Sequence, residues 1–282
     1  MRKPRQAGLA VAVALLAVST SAQNKKEFSS PLNAGASVTI VNEYGAINVQ
    51  PAPNAKLVIT AVPHSNKVEV DFQNNANSRV EARAHVLQNG NADEIRVDYE
   101  VRLPAGASIN VRSSNGPMTV DGINADITCA GESAPVQVRN GGNGHVHVHT
   151  MDGPVTQTHL KNAHIEVVSI SGDVSMSDVT GPSVTVNTTK GKISYAGDFS
   201  GGGDYSLISH SGDIDVIMPA GASVDMSAKS VQGSVSDTFQ LQPATHPMFV
   251  VTQGKSFAGT ANSGASSVKL RSFSGKIRVQ KQ

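Results

Sequence analysis

Residues 169–197 read SISGDVSMSDVTGPSVTVNTTKGKISYAG. The phrase Gly-x-Val-x-Met at Gly172 returns nineteen residues later as Gly-x-Ile-x-Tyr at Gly191. Followed outward, the same mark falls on Gly116, Ala134, Gly153, Gly172, Gly191, Gly212, Gly233, Gly254 and Gly275, at spacings of 18, 19, 19, 19, 21, 21, 21 and 21. Two residues after the marks stand Met118, Val136, Val155, Val174, Ile193, Ile214, Val235, Ser256 and Ile277. Five residues before the next marks stand Cys129, Val148, Val167, Val186, Leu207, Ala228, Phe249 and Leu270. Apolar residues alternate with Ser, Thr, Asp, Lys, Asn and His, which is the period of a strand with one buried face.

Two short strands per unit, repeated at a fixed period, predict a parallel β-solenoid. No unit can bury its apolar face alone, and stacking makes one thin continuous core. A β-sandwich also has many short strands, but it does not explain constant spacing with positional apolar columns. The marked glycines are expected at corners, where a positive φ or a close backbone approach favours Gly.

Composition agrees with a thin core. Of 282 residues, 39% are hydrophobic, only 4% are aromatic, none is Trp, and 26 are Gly. The start, MRKPRQAGLAVAVALLAVSTSAQ, has basic Arg2, Lys3 and Arg5 and an apolar run from Gly8 to Val18, with small Thr20 and Ala22 before a cut. This predicts a signal peptide over residues 1–22 and export to the periplasm or cell surface. The run is shorter than the roughly 20 residues of a membrane span, and no transmembrane segment is expected in the mature chain. Removing the leader leaves 20 Lys+Arg against 22 Asp+Glu. That balance gives no electrostatic reason to expect nucleic acid or anionic lipid as a partner. A single cysteine, Cys129, excludes an intrachain disulfide.

Residues 23–105 are looser. KLVITAV, KVEVDF, RVEARAHVL and EIRVDYEVRLP are longer alternations joined by polar QNNANS and QNGNAD. They read as antiparallel hairpins forming an N-terminal β-rich cap. The solenoid proper is expected over residues 106–282.

The export signal, the VNEYGAINV opening, the P-A-G-A-S phrase and the serial S-G-D-I-x-V units resemble a bacterial family. It is an exported domain of unknown function with short β-strand repeats, described as a "putative adhesin". The resemblance covers about residues 30–280. It implies a β-solenoid and placement in the cell envelope or at the cell surface, and it supplies no catalytic residues.

One cluster departs from the Ser/Thr surface. GHVHVHT places His145, His147 and His149 on one outward face if Val146 and Val148 point inward. The repeat register sets His164 beside His145, Glu166 beside His147, and Asp126 one coil before His145. Histidines two apart on a strand, with a third ligand from the next strand, suit Zn²⁺ or Cu²⁺. The plainer alternative is a polar face that happens to be His-rich. Asp173, Lys192 and Asp213 occupy one position in successive coils and read as an alternating charge ladder. Cys129 falls on an inward position, where an inert thiol is expected. No nucleophile elbow, zinc-protease helix or phosphate loop is present.

The leading expectation is therefore a non-enzymatic envelope or surface protein. It would act as an adhesin or scaffold, binding an envelope component that is protein or polysaccharide. The alternatives are a metal-binding envelope protein using the His cluster and a carbohydrate-active enzyme on a β-helix.

Overall fold

The computed structural model describes residues 25–199, 202–239, 241–244, 247 and 249–282. The leader read at residues 1–22 lies outside the described residues. Among these residues every regular element is a β-strand.

The N-terminal strands are β1 (Lys26–Pro31), β2 (Ser37–Asn42), β3 (Ile47–Pro51), β4 (Lys56–Pro63), β5 (Val68–Asn75), β6 (Arg79–Val86) and β7 (Val97–Leu103). Coils follow as pairs: β8 (Ser108–Ser113) with β9 (Met118–Asp121), β10 (Ile127–Gly131) with β11 (Val136–Arg139), and β12 (His145–Thr150) with β13 (Val155–Thr158). Next come β14 (His164–Ser169) with β15 (Val174–Ser177), β16 (Ser183–Thr188) with β17 (Ile193–Ala196), and β18 (Asp204–Ser209) with β19 (Ile214–Met218). The chain ends with β20 (Val224–Ser230), β21 (Val235–Asp237), β22 (Gln242–Pro243), β23 (Ser256–Ala261), β24 (Ser266–Ser272) and β25 (Ile277–Lys281).

The protein is an all-β solenoid of two long, mostly parallel sheets. One holds 12 strands in the order β1-β4-β7-β3-β9-β11-β13-β15-β17-β19-β25-β21. The other holds 13, in the order β22-β23-β20-β24-β18-β16-β14-β12-β10-β8-β2-β6-β5. From β8 to β19 the register is the one the columns predict. Val136 lies beside Val155, then Val174, Ile193 and Ile214. Cys129 lies beside Val148, then Val167, Val186 and Leu207. These side chains line the core and are almost fully buried.

The end departs from chain order. Ile214 pairs with Ile277, not Val235, and Leu207 pairs with Leu270, not Ala228. The last coil, β24–β25, lies between β18–β19 and β20–β21. The unit at Gly254 is no coil, because its strand β23 runs antiparallel to β20.

The N-terminal region differs from expectation in a related way. β5 and β6 form a hairpin, turning at Ala76 and Asn77 with φ of 49° and 57°. QNGNAD makes no hairpin. It carries the chain from β6 in one sheet to β7 in the other. Alternation alone does not distinguish a hairpin from a crossover, since either keeps the same face inward. The stretch LNAGASVTIVNEYGAINV is itself a coil, with β2 parallel to β6 and β8, and β3 parallel to β7 and β9. Phe28 of β1 stacks on Phe72 of β5 with centroids 5.4 Å apart, closing this end of the core.

The corners explain the glycine column. A Cβ on Gly172 would lie 2.1 Å from the Gly153 carbonyl oxygen, and one on Gly191 would lie 2.1 Å from that of Gly172. Close approach between stacked coils, not positive φ, excludes a side chain there. A second column sits three residues earlier: Thr150, Ser169, Thr188, Ser209, Ser272 and Ser230, all buried. Thr188 Oγ1 accepts the Gly191 N–H at 2.9 Å, and Ser209 and Ser272 do the same for Gly212 and Gly275 at 2.8 Å. Ser230 Oγ also donates to the Gly275 carbonyl of the adjoining coil at 2.7 Å. At these corners the Ser/Thr-x-x-Gly phrase satisfies buried polar groups, whereas Ser113 Oγ before Gly116 is buried without a hydrogen-bond partner among the described residues.

Candidate functional site

Strand β12 buries Val146 and Val148 and turns His145, His147 and His149 outward. Parallel pairing with β14 sets His145 beside His164 and His147 beside Glu166, in the expected register. The His145 and His164 rings stack, with centroids 5.0 Å apart and planes inclined by 22°. His147 Nδ1 lies 3.3 Å from Glu166 Oε2. Asp126 is occupied by the backbone, its Oδ1 accepting the His145 N–H at 2.9 Å. His149 lies between Ala130 and Val168, apart from the other imidazoles.

The cluster therefore consists of two side-by-side pairs. Among the described residues, no three His, Cys, Asp or Glu side chains are gathered so as to hold a metal ion. Outward side chains on a flat sheet stand parallel, a strand spacing apart, and do not aim at a common point.

The outer face of the other sheet is a ladder of small polar groups. Thr119, Gln137, Thr156, Ser175 and Ser194 are cross-strand neighbours in turn. The row ends in charge: Ser194 adjoins Asp215, and Asp215 adjoins Arg278. Arg278 Nε donates to Asp215 Oδ1 at 2.6 Å and its Nη2 to Asp213 Oδ2 at 2.9 Å, while Lys192 Nζ lies 2.8 Å from Asp215 Oδ2. Burial opposes the charge on Asp215, but bonds from Arg278 and Lys192 outweigh it and hold the carboxyl below the usual range. The corner ladder works partly through the backbone, since Asp173 Oδ1 accepts the Lys192 N–H and Asp213 Oδ1 the Lys276 N–H, both at 2.8 Å. Cys129 is fully buried, and burial pushes its thiol up to about 12.

A family model described as Toastrack DUF4097 matches residues 33–280. The chain belongs to the Toastrack DUF4097 family. No curated protein matches it. Two solved structures are similar in extent. A "putative cell adhesion protein" from Clostridium sporogenes shares 12% identity over 92% of this chain and 100% of its own, with a TM-score of 0.28. A "putative adhesin" from Parabacteroides merdae shares 10% identity over 92% and 96%, with a TM-score of 0.33. Neither superposition is close enough to carry an argument.

The Toastrack chain holds one polar cluster that the repeat reading missed. Asp98 Oδ2 lies 2.8 Å from His64 Nε2 and accepts Arg96 Nη2 at 2.9 Å. Its Oδ1 accepts Arg96 Nε at 3.0 Å and the Ala46 N–H at 2.8 Å. Burial opposes ionisation of Asp98, yet bonds from Arg96, Ala46 and His64 hold its carboxyl below the usual range. The cluster pins the VNEYGAINV corner to β7. No spacing signals it, because pairing of β3 and β4 with β7 assembles residues from separate segments.

Proposed function

We propose that this Toastrack protein is an exported, non-enzymatic scaffold of the bacterial cell envelope or surface. Its long faces bind an extended envelope component, a protein or a polysaccharide. One observation carries the reading: the unbroken outward row Thr119, Gln137, Thr156, Ser175 and Ser194, one hydroxyl or amide per coil. Donors and acceptors repeating at about 4.8 Å suit a ligand that is itself extended and repetitive. Many individually weak contacts then add along one rigid surface. The test is retention of the mature chain on washed envelope fractions. Thr156→Arg, which crowds the row and leaves the core untouched, is expected to reduce retention at least tenfold. Equal retention of both forms, or none of either, overturns the reading.

A second reading rests on the His145–His164 and His147–Glu166 pairs. Rotation of these exposed side chains would let a Zn²⁺ or Cu²⁺ ion draw one pair together, with water completing its shell. Native mass spectrometry of the untagged chain tests it. A metal adduct lost in His147→Ala supports the site, and a bare mass in the presence of either ion removes it.

A further inference from the structure

The end of the solenoid where chain order breaks also breaks the surface chemistry. Lys269 and Arg271 on β24 and Lys229 on β20 face outward from one sheet, with Lys229 beside Arg271. Lys255 joins them at the corner, donating to the Gln232 and Gly233 carbonyl oxygens at 2.8 and 2.6 Å. Among the described residues none of these four cations meets a carboxylate. Asp204 and Asp225, the acids of the same sheet region, sit at the far end of their strands, each beside Ser267.

Apolar groups are interleaved with these charges. The Phe249 ring lies 5.0 Å from the Arg271 guanidinium and 5.8 Å from Lys229 Nζ. Next in the chain, Val250 is 85% exposed and Val251 47%, and on the adjoining corners Val231 is 55% and Phe273 39% exposed. Val250 is held against the sheet end, its carbonyl accepting Ser256 Oγ at 3.4 Å. The chain is near charge balance, with 23 Lys+Arg against 22 Asp+Glu, so an acid-free cluster of four cations is a local exception.

We propose that this end of the solenoid docks on an anionic phospholipid surface. Val250 and Val251 enter the interfacial layer, and Lys229, Lys255, Lys269 and Arg271 meet lipid phosphates. Arg271 already donates to the Ser227 carbonyl and hydroxyl, so Lys229 and Lys269 are the freer charges. Exposed apolar tips ringed by cations that lack carboxylate partners are the chemistry that a charged bilayer surface selects, because apolar burial and phosphate attraction act together. A soluble acidic partner would account for the cations but leave an 85% exposed valine without a role.

Vesicle flotation of the mature chain tests this. Binding is expected to phosphatidylcholine vesicles containing phosphatidylglycerol, weakened by salt, and not to phosphatidylcholine alone. Lys269→Glu is expected to weaken it about fivefold or more. Val250→Asp should weaken it at least as much. Both positions are exposed, and an unchanged circular dichroism melt confirms the fold. Thr156→Arg, on the other sheet, should leave vesicle binding intact, which separates this inference from the polar-row reading. No binding to anionic vesicles, equal binding to neutral ones, or variants that bind normally would each overturn it. So would binding to soluble dextran sulfate through Lys269 without vesicle binding, which would make the patch a polyanion site.

Discussion

Residues 108–217 and residues 218–282 carry the same repeat but stack differently. In the first stretch each coil lies on the one before it in sequence. In the second, glycines spaced by 21 residues continue through Gly233, Gly254 and Gly275. There Gly275 packs on Gly212, and Gly233 on Gly275. A Cβ on Gly254 would meet nothing within 4 Å. Spacing thus reports coil length, not coil order. Order is decided by which strand finds the open edge, and the chain skips one layer before returning to fill it.

The largest effect expected from this difference comes from truncation after Asn262, which removes β24 and β25. In a serial solenoid the loss of the last coil spares the rest. Here it strips β20 and β21 of their parallel partners. Hydrogen exchange is expected to show near-complete loss of protection in β20, β21 and β23, with β8 to β19 still protected. Protection retained in β20 and β21 would mean that β20 can close directly onto β18.

Corner glycines sharpen the contrast. Gly191→Ala places a Cβ 2.1 Å from the Gly172 carbonyl oxygen and is expected to cost about 3 kcal/mol or more in urea unfolding. Gly221→Ala, with nothing within 4 Å, is expected to be neutral or stabilising by about 0.5 kcal/mol.

The inserted coil is also tied by charge. Arg278→Ala should cost about 1–3 kcal/mol at neutral pH, since it removes the guanidinium from Asp213 and leaves half-buried Asp215 with Lys192 alone. Asp215 has a lowered folded pKa, so its contribution is present above the unfolded value of about 3.9 and is lost as pH falls through the folded one. The gap between wild type and variant should therefore close below about pH 4. A gap that persists in acid would show that packing, not charge, fixes the last coil. Within the regular coils, Gln157 is a smaller local fault. It is fully buried between Val138 and Met176, and neither amide atom has a hydrogen-bond partner within the protein. Gln157→Met should raise stability by about 1 kcal/mol, measured by thermal melting.

Strand identity, the inward face and the register from β8 to β19 were legible because one period with fixed apolar columns leaves a single stacking. Coil order at the end was legible too, but in another signal. Most true corners carry Ser or Thr three residues before Gly, as in Ser230–Gly233 and Ser272–Gly275, whereas Gly254 follows Val251. The hydroxyl that satisfies the corner amide marks a coil better than the glycine does. The His face was legible as a register, since residue count fixes which positions adjoin. Its lack of a convergence point was not, because rotamers of exposed side chains leave no trace in spacing. The Asp98 clamp was invisible because no period links Ala46, His64, Arg96 and Asp98.

The smallest expected effect tests the corner rule at an exception within the regular coils, the β2–β3 coil having Asn42 three residues before Gly45. Ala134 stands where other coils have Gly, and Gly131 stands where they have Ser or Thr. The two are coupled in space: a Cβ on Gly131 would lie 3.3 Å from Ala134 Cβ and 3.1 Å from Met118 Cε. The coil has exchanged which of the two positions carries the side chain. Gly131→Ser alone is expected to destabilise slightly, because the new group crowds Ala134. Ala134→Gly alone should cost about 0.5–1 kcal/mol through chain entropy. Together they recreate Ser-x-x-Gly, with a hydroxyl available to the corner amide, and should couple favourably by about 0.5–1 kcal/mol in a double-mutant cycle. Simple additivity would mean that the hydroxyl column follows from burial alone. Coupling would mean that the pair is the unit the repeat conserves from coil to coil within this chain, with glycine and hydroxyl each defined by the other.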